Sequence, residues 1–164
     1  MLQLKFKRLS PTMTVPTKAH ENDACFDLYA DLGPIVEKVE KQNNCDYGPL
    51  EDISIFILPG DCKKINTGFS TNIPHGYWAA IFARSGLATK NGLRPAQGVP
   101  VIDEPYTGEW IIPIYNQSDK TQYIRHGDRI AQFVLLPYFD TELIEVNELK
   151  ETDRGEGGFG SSGK

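Results

Sequence analysis

Cysteine is scarce in this chain. Cys25, Cys45 and Cys62 are too few, and odd in number, for a disulfide framework, and none sits in a Cys-x-x-Cys pair. His20, His75 and His126 are scattered, which argues against a structural zinc. Positive charge is also short. The 17 Lys and Arg against 22 Asp and Glu leave a net charge of −5, so no general basic surface draws in nucleic acid. Any anion site must be local, built from a few arginines, backbone amides or a metal. No apolar run approaches the ~18 residues of a membrane span, and none is expected. Met1–Lys7 alternates apolar and charged residues, a strand signal and not a secretory one. A soluble, intracellular (cytoplasmic) protein is the expectation.

What is present is punctuation. The 15 glycines and 11 prolines are spread along 164 residues and break short apolar runs about every ten positions. Such runs are Ile53–Leu58, Lys63–Thr67, Trp78–Ala83, Trp110–Tyr115 and Arg129–Leu136. This rhythm predicts many short strands joined by turns, hence an all-β sandwich or barrel of mostly antiparallel strands. One short helix is predicted near Ser85–Lys90. Residues 34–52 break the rhythm and read as an insertion, an extended hairpin. One domain is expected over residues 1–153, followed by a glycine-rich tail over 154–164.

Five segments carry polar residues that folding alone does not require. In Ala24–Ala30, Asp27 lies among apolar neighbours, where a strand disfavours aspartate; an ordinary outward-facing Asp is the alternative. In Ala83–Leu87, Arg84, Ser85 and Gly86 end a strand where a helix begins, a place that favours an anion; a capping serine is the alternative. In Gln97–Glu109, Asp103 and then Tyr106 sit on a hairpin, a base beside a stacking platform; turn chemistry explains Asp103 about as well. In Gly127–Gln132, Asp128 and Arg129 read most simply as a buried ion pair. The tail, Arg154–Gly163, combines five glycines with an arginine, a phenylalanine and two serines. Glycine amides and arginine suit phosphate, and the ring can stack on a base, although most Gly/Ser tails are plain disordered termini.

In this order, the five segments resemble the five motifs of the trimeric dUTP pyrophosphatase (dUTPase) family. They are Ala-x-Phe-Asp-Leu-x-Ala, Arg-Ser-Gly-Leu-Ala, Val-Ile-Asp-x-x-Tyr-x-Gly-Glu, Gly-Asp-Arg-Ile-Ala-Gln and Arg-Gly-x-Gly-Gly-Phe-Gly-Ser-Ser-Gly. The resemblance implies a β jelly roll with a flexible C-terminal lid, a homotrimer with shared sites, and hydrolysis of dUTP to dUMP and pyrophosphate. It implies Mg²⁺ on the triphosphate and water attacking the α-phosphorus. Asp103 matches the general base, and Asp27 the aspartate that meets hydrated Mg²⁺ through water. Arg84, Ser85, Gly86 and Gln132 match phosphate ligands. Val101 and Ile102 match the backbone that pairs with uracil, and Tyr106 the aromatic that excludes a ribose 2′-OH. Gln97 and Ile111 join the substrate-binding set. Arg154 is matched to the γ-phosphate, Phe159 to the uracil face, and Gly160, Ser161 and Ser162 to the closing tail.

The chain departs from the family in places. Gln97 replaces the usual asparagine, Pro100 a common glycine, Thr107 an arginine and Phe26 a tyrosine. A dCTP deaminase on the same fold needs a glutamate where this chain has Pro113, and proline shuttles no proton. A regulatory binding protein, switched by nucleotide and recognising a protein partner as some phage relatives do, is the alternative from another class.

Overall fold

The computed structural model describes residues 2–43, 46–153, 155 and 157. Eleven short strands appear among them, and the order of elements follows the turns. Lys5–Arg8 (β1) and Phe26–Tyr29 (β2) come first, then a helix over Gly33–Asn43 (α1) and a 3₁₀ turn at Leu50–Asp52. Ser54–Ile57 (β3), Cys62–Ile65 (β4), Phe69–Asn72 (β5) and Tyr77–Phe82 (β6) lead to the helix Ser85–Asn91 (α2). Leu93–Pro95 (β7), Val101–Ile102 (β8), Ile112–Asn116 (β9), Gln122–Arg125 (β10) and Arg129–Pro137 (β11) complete the set.

All pairings between these strands are antiparallel. The largest sheet runs β2-β11-β6-β8, a three-stranded sheet runs β4-β9-β7, and β1-β5 and β3-β10 form two ribbons. The all-β expectation therefore holds, and α2 falls within a residue of the predicted helix. No helix among the described residues is long and apolar enough to cross a membrane.

The core lies where inward positions of these sheets meet. Burial alternates along β9, with Ile112 and Ile114 at 0% exposure, as period two requires. Trp110 is completely buried and sits edge-on to Phe69 and Phe133, with ring centroids 5.1 and 4.9 Å away. This aromatic cluster fixes β11, an inner strand of the four-stranded sheet, against the segment that leads from the candidate hairpin into β9.

The insertion is a correction. Residues 33–43 form a helix, not an extended hairpin, so the fold has two short helices where one was expected. Pro34 occupies the first turn, where its missing N–H costs nothing, and the Asp31 carboxylate accepts the Gly33 N–H at 3.2 Å. Lys41 Nζ reaches Glu37 Oε1 one turn back, at 2.6 Å. No residue of α1 is buried.

Candidate active site

Motifs one, two and four converge at one end of the large sheet. Register places Asp27 of β2 opposite Gln132 of β11, and Gln132 opposite Phe82 of β6. Gln132 Nε2 donates to the Ala83 carbonyl at 2.9 Å, so the amide is held at the strand end where Arg84 begins. Arg84 Nε donates to Asp27 Oδ1 at 2.7 Å, and Arg129 NH1 to Asp27 Oδ2 at 3.3 Å. The Asp27 side chain is only 10% exposed, and both of its oxygens face guanidinium groups. The outward-facing alternative for Asp27 therefore fails.

Two other local alternatives fail with it. Asp128 and Arg129 are exposed and do not pair with each other. Asp128 Oδ2 accepts the Arg125 N–H at 2.8 Å and closes the turn before β11, while Arg129 reaches Asp27. Asp128 lies in the turn and Arg129 opens β11. Ser85 is not a cap. The N-cap of α2 is Arg84 and no side chain caps the helix. Ser85 and Gly86 are exposed in its first turn.

Two cavities flank the arginine. One of about 310 Å³ is lined by Ala19, Asp23, Ala24, Cys25, Asp27, Arg84 and Gln132. The other, about 380 Å³, lies toward α2 and includes Gly86, Lys90, Asp128 and Arg129. The Cys25 thiol in the first is pushed above its ordinary range, by burial first and then by Asp23 and Asp27.

The third motif stands apart. Val101–Ile102 pairs with Ala79–Ala80 of β6, which sets Asp103 beside Trp78. Asp103 is exposed, and its carbonyl accepts the Tyr106 N–H at 3.0 Å in a tight turn. Asp103 lines a cavity of about 530 Å³ together with Trp78, Val101, Glu104, Pro105 and Tyr138. Gln97 and Ile111 are exposed, and Ile102 is half-buried. The Pro100 carbonyl accepts the Ile81 N–H at 3.0 Å, so Pro100 uses its acceptor and needs no donor.

The Tyr106 ring folds back over Gly108, and its hydroxyl donates to the Glu109 carbonyl at 2.8 Å. A Cβ at Gly108 would lie 2.6 Å from the Tyr106 hydroxyl oxygen and 2.7 Å from Cζ. Gly108→Ala should therefore push the ring aside. Overpacking of this kind costs ~1–3 kcal/mol; if the ring excludes a ribose 2′-OH, as the family resemblance implies, discrimination of dUTP against UTP should fall about tenfold. Parallel kcat/KM measurements on the two nucleotides check this; an unchanged ratio would mean that Tyr106 does not read the sugar.

Two residues, Glu109 and Glu104, were missed in the sequence, and Arg129 was paired with the wrong partner. Glu109 accepts from Asn66 Nδ2 (2.8 Å), Thr67 N–H (3.2 Å) and Gly68 N–H (2.8 Å), anchoring the hairpin to the loop after β4. Glu104 and Arg129 likewise find partners far along the chain. The only local hint was a charged residue beside a turn or at a strand end. Arg154, Phe159, Gly160, Ser161 and Ser162 lie outside the described residues. Among the described residues no group of three or more His, Cys, Asp or Glu is placed to hold a metal.

Comparison with known proteins identifies the family. The dUTPase family model matches residues 50–163. A deoxyuridine 5′-triphosphate nucleotidohydrolase of Desulfitobacterium hafniense is 49% identical over 113 residues, covering 68% of this chain and 75% of the relative. One of Nautilia profundicola is 36% identical over 163 residues, covering 99% of this chain and all of the relative. Among solved structures, a mutant dUTPase of Staphylococcus bacteriophage 80alpha with dUpNHpp superposes with a TM-score of 0.80 at 26% identity, covering 100% of both chains. The jelly-roll expectation is met by that likeness. Motif order, fold and relatives agree: the chain belongs to the dUTPase family.

Proposed function

We propose that this chain hydrolyses dUTP to dUMP and pyrophosphate, with Asp103 as general base. The observation that carries the reading is the third-motif hairpin. It presents an exposed Asp103 three residues before a Tyr106 ring folded over Gly108, while Pro113 of β9 stands where a deaminase relative needs a glutamate. Water attacks the α-phosphorus, its proton passes to the Asp103 carboxylate, and pyrophosphate leaves. Backbone around Val101 and Ile102 reads uracil, assisted by Gln97 and Ile111, and Tyr106 excludes the 2′-OH. Arg84, Ser85, Gly86 and Gln132 bind phosphate, with the Gly86 amide in the first turn of α2 available to an anion. Arg154, Phe159, Gly160 and Ser161 close over the nucleotide, an assignment that rests on the sequence motif.

A single copy supports this chemistry poorly. Asp103 lies level with Trp78, and Arg84 is six residues further along or just beyond the same strand. At ~3.3 Å per residue the two are about 20 Å apart, too far to act on one phosphate. Asp103 of one copy with Arg84 of another removes the difficulty, and a homotrimer with shared sites is the assembly we propose. Asp27 fits a metal only in one way. One carboxylate already facing two guanidinium groups cannot hold a resident cation, but it can meet the water shell of a Mg²⁺ that arrives on the triphosphate. Mg²⁺ would supply charge neutralisation on the phosphates.

Pyrophosphate release from dUTP, dTTP, dCTP and UTP, each with Mg²⁺, tests the reading. Release from dUTP alone is expected. Ammonia from dCTP, or no release from any of the four, would reject it.

A further inference from the structure

The acid next to Asp103 is held far more firmly than Asp103 itself. Glu104 Oε2 accepts the Tyr138 hydroxyl at 2.6 Å and the Gly76 N–H at 3.0 Å, and His75 Nδ1 lies 3.1 Å from Oε1. Tyr138 is fixed a second time, because its N–H donates to the Gly76 carbonyl at 3.0 Å. Glu104, Gly76 and Tyr138 therefore close a ring of three hydrogen bonds. The ring joins three places distant in sequence: the hairpin tip, the turn between β5 and β6, and the residue that follows β11. From Tyr138 to Asp153 the chain forms no strand or helix. Tyr138 thus ties the root of the segment leading to the glycine-rich motif to the turn beside β6. Glu104 and Tyr138 line the same cavity as Asp103.

The turn does not need this carboxylate, since Pro105 and the Tyr106 N–H to Asp103 carbonyl bond already shape it. The contacts of the ring favour the charged carboxylate. The Tyr138 hydroxyl, then the Gly76 amide and His75, hold the Glu104 carboxyl below the usual carboxylate range. The same bond pushes the Tyr138 hydroxyl up, with Asp140 adding to it.

We propose that Glu104 is a positioning residue for dUTP hydrolysis, holding the Asp103 hairpin through the Glu104–Gly76–Tyr138 ring and tying it to the root of the C-terminal segment. This rests on Asp103 acting as the base. Small misplacements of a reacting group cost up to about a hundredfold in rate, and a hairpin freed at one of its two anchors should show part of that.

Steady-state pyrophosphate release by the full chain tests it, with Asp103→Asn as reference. Glu104→Ala is expected to lower kcat about tenfold, with KM within about twofold. Glu104→Gln, which keeps an acceptor oxygen, should recover most of the loss. Tyr138→Phe should lower kcat alone and add nothing in the Glu104→Ala background. Acid stability gives a second readout. The contribution of a lowered carboxyl is complete above its unfolded value of ~4.3 and is lost as pH falls through its lower folded value. Glu104→Gln should flatten that part of the melting profile. Wild-type kcat in Glu104→Ala and Tyr138→Phe, with only the melting temperature lowered, overturns the proposal; so do independent, multiplicative effects. Wild-type turnover by Asp103→Asn would instead strike the base assignment beneath it. Glu104→Gln and Tyr138→Phe are near-isosteric, so the comparison survives if Glu104→Ala fails to fold.

Discussion

Asp103→Asn is expected to lower kcat for dUTP by about 10²–10⁴, while dUpNHpp still binds within about threefold of wild type. The reasoning is local. Among the described residues no hydrogen bond or ion pair engages the Asp103 carboxylate. Its turn is held through its carbonyl, which accepts the Tyr106 N–H, and an amide side chain leaves that bond in place. The neighbouring anchors, Glu104 and Glu109, are also untouched. The substitution therefore removes proton-accepting ability with little change in shape, and the loss should appear in kcat and not in nucleotide affinity. Single-turnover pyrophosphate release, alongside calorimetric titration with the analogue, separates the two quantities. Turnover at the wild-type rate would reject Asp103 as the base.

Strand-rich architecture was legible because turns are local. His75-Gly76, His126-Gly127-Asp128 and Pro59-Gly60 bracket apolar runs, and β6, β11 and β3 lie within a residue or two of the expected bounds. Gly60, Gly76 and Gly127 have φ of 78°, 83° and 79°, conformations that glycine adopts without strain. Helix α1 was misread for a reason equally physical. Its apolar stripe is short: Val36 and Val39 are only half-buried, and no residue of the helix is fully buried. Its signals were a proline in the first turn and one Glu–Lys pair, both compatible with a polar hairpin.

The sequence offered candidate residues for the site but not their contacts. Arg84 and Asp27 are 57 positions apart, and Arg129 and Asp27 are 102 apart. No window of sequence contains such a pair, so local reasoning assigned Arg129 to its neighbour Asp128. Glu109 shows the same limit: it looks like one more acid after a Gly, yet three donors more than 40 residues upstream converge on it. What joins these residues is strand register. Once β2, β11 and β6 are paired, Asp27, Gln132 and the end of β6 must lie side by side. The same register sends Asp103 toward the other end of β6, a separation that the motifs, read as a string, do not reveal.

Arg84→Met is expected to cut kcat/KM for dUTP by about 10²–10³, the usual cost of losing one oxyanion-stabilising donor, and also to destabilise the fold. The second effect comes from Asp27. Its side chain is 10% exposed and loses its 2.7 Å partner, keeping only Arg129, which is 47% exposed and 3.3 Å away. Breaking a buried ion pair from one side costs about 3–5 kcal/mol at the upper end, and the remaining arginine should hold the loss to roughly half of that. Arg84→Lys separates charge from geometry. The ammonium can still sit near Asp27 but cannot offer a fork to carboxylate and phosphate together, so stability should largely return while activity does not. The double variant Asp27→Asn/Arg84→Met should be more stable than Arg84→Met alone, since it no longer buries a poorly compensated charge, yet equally inactive. Urea titration and dUTP kinetics on the four proteins measure both quantities. If Arg84→Met loses stability but keeps wild-type kcat/KM, Arg84 holds Asp27 and does not bind phosphate. If activity falls with stability unchanged, the guanidinium serves the nucleotide and the Asp27 contact contributes little to the fold.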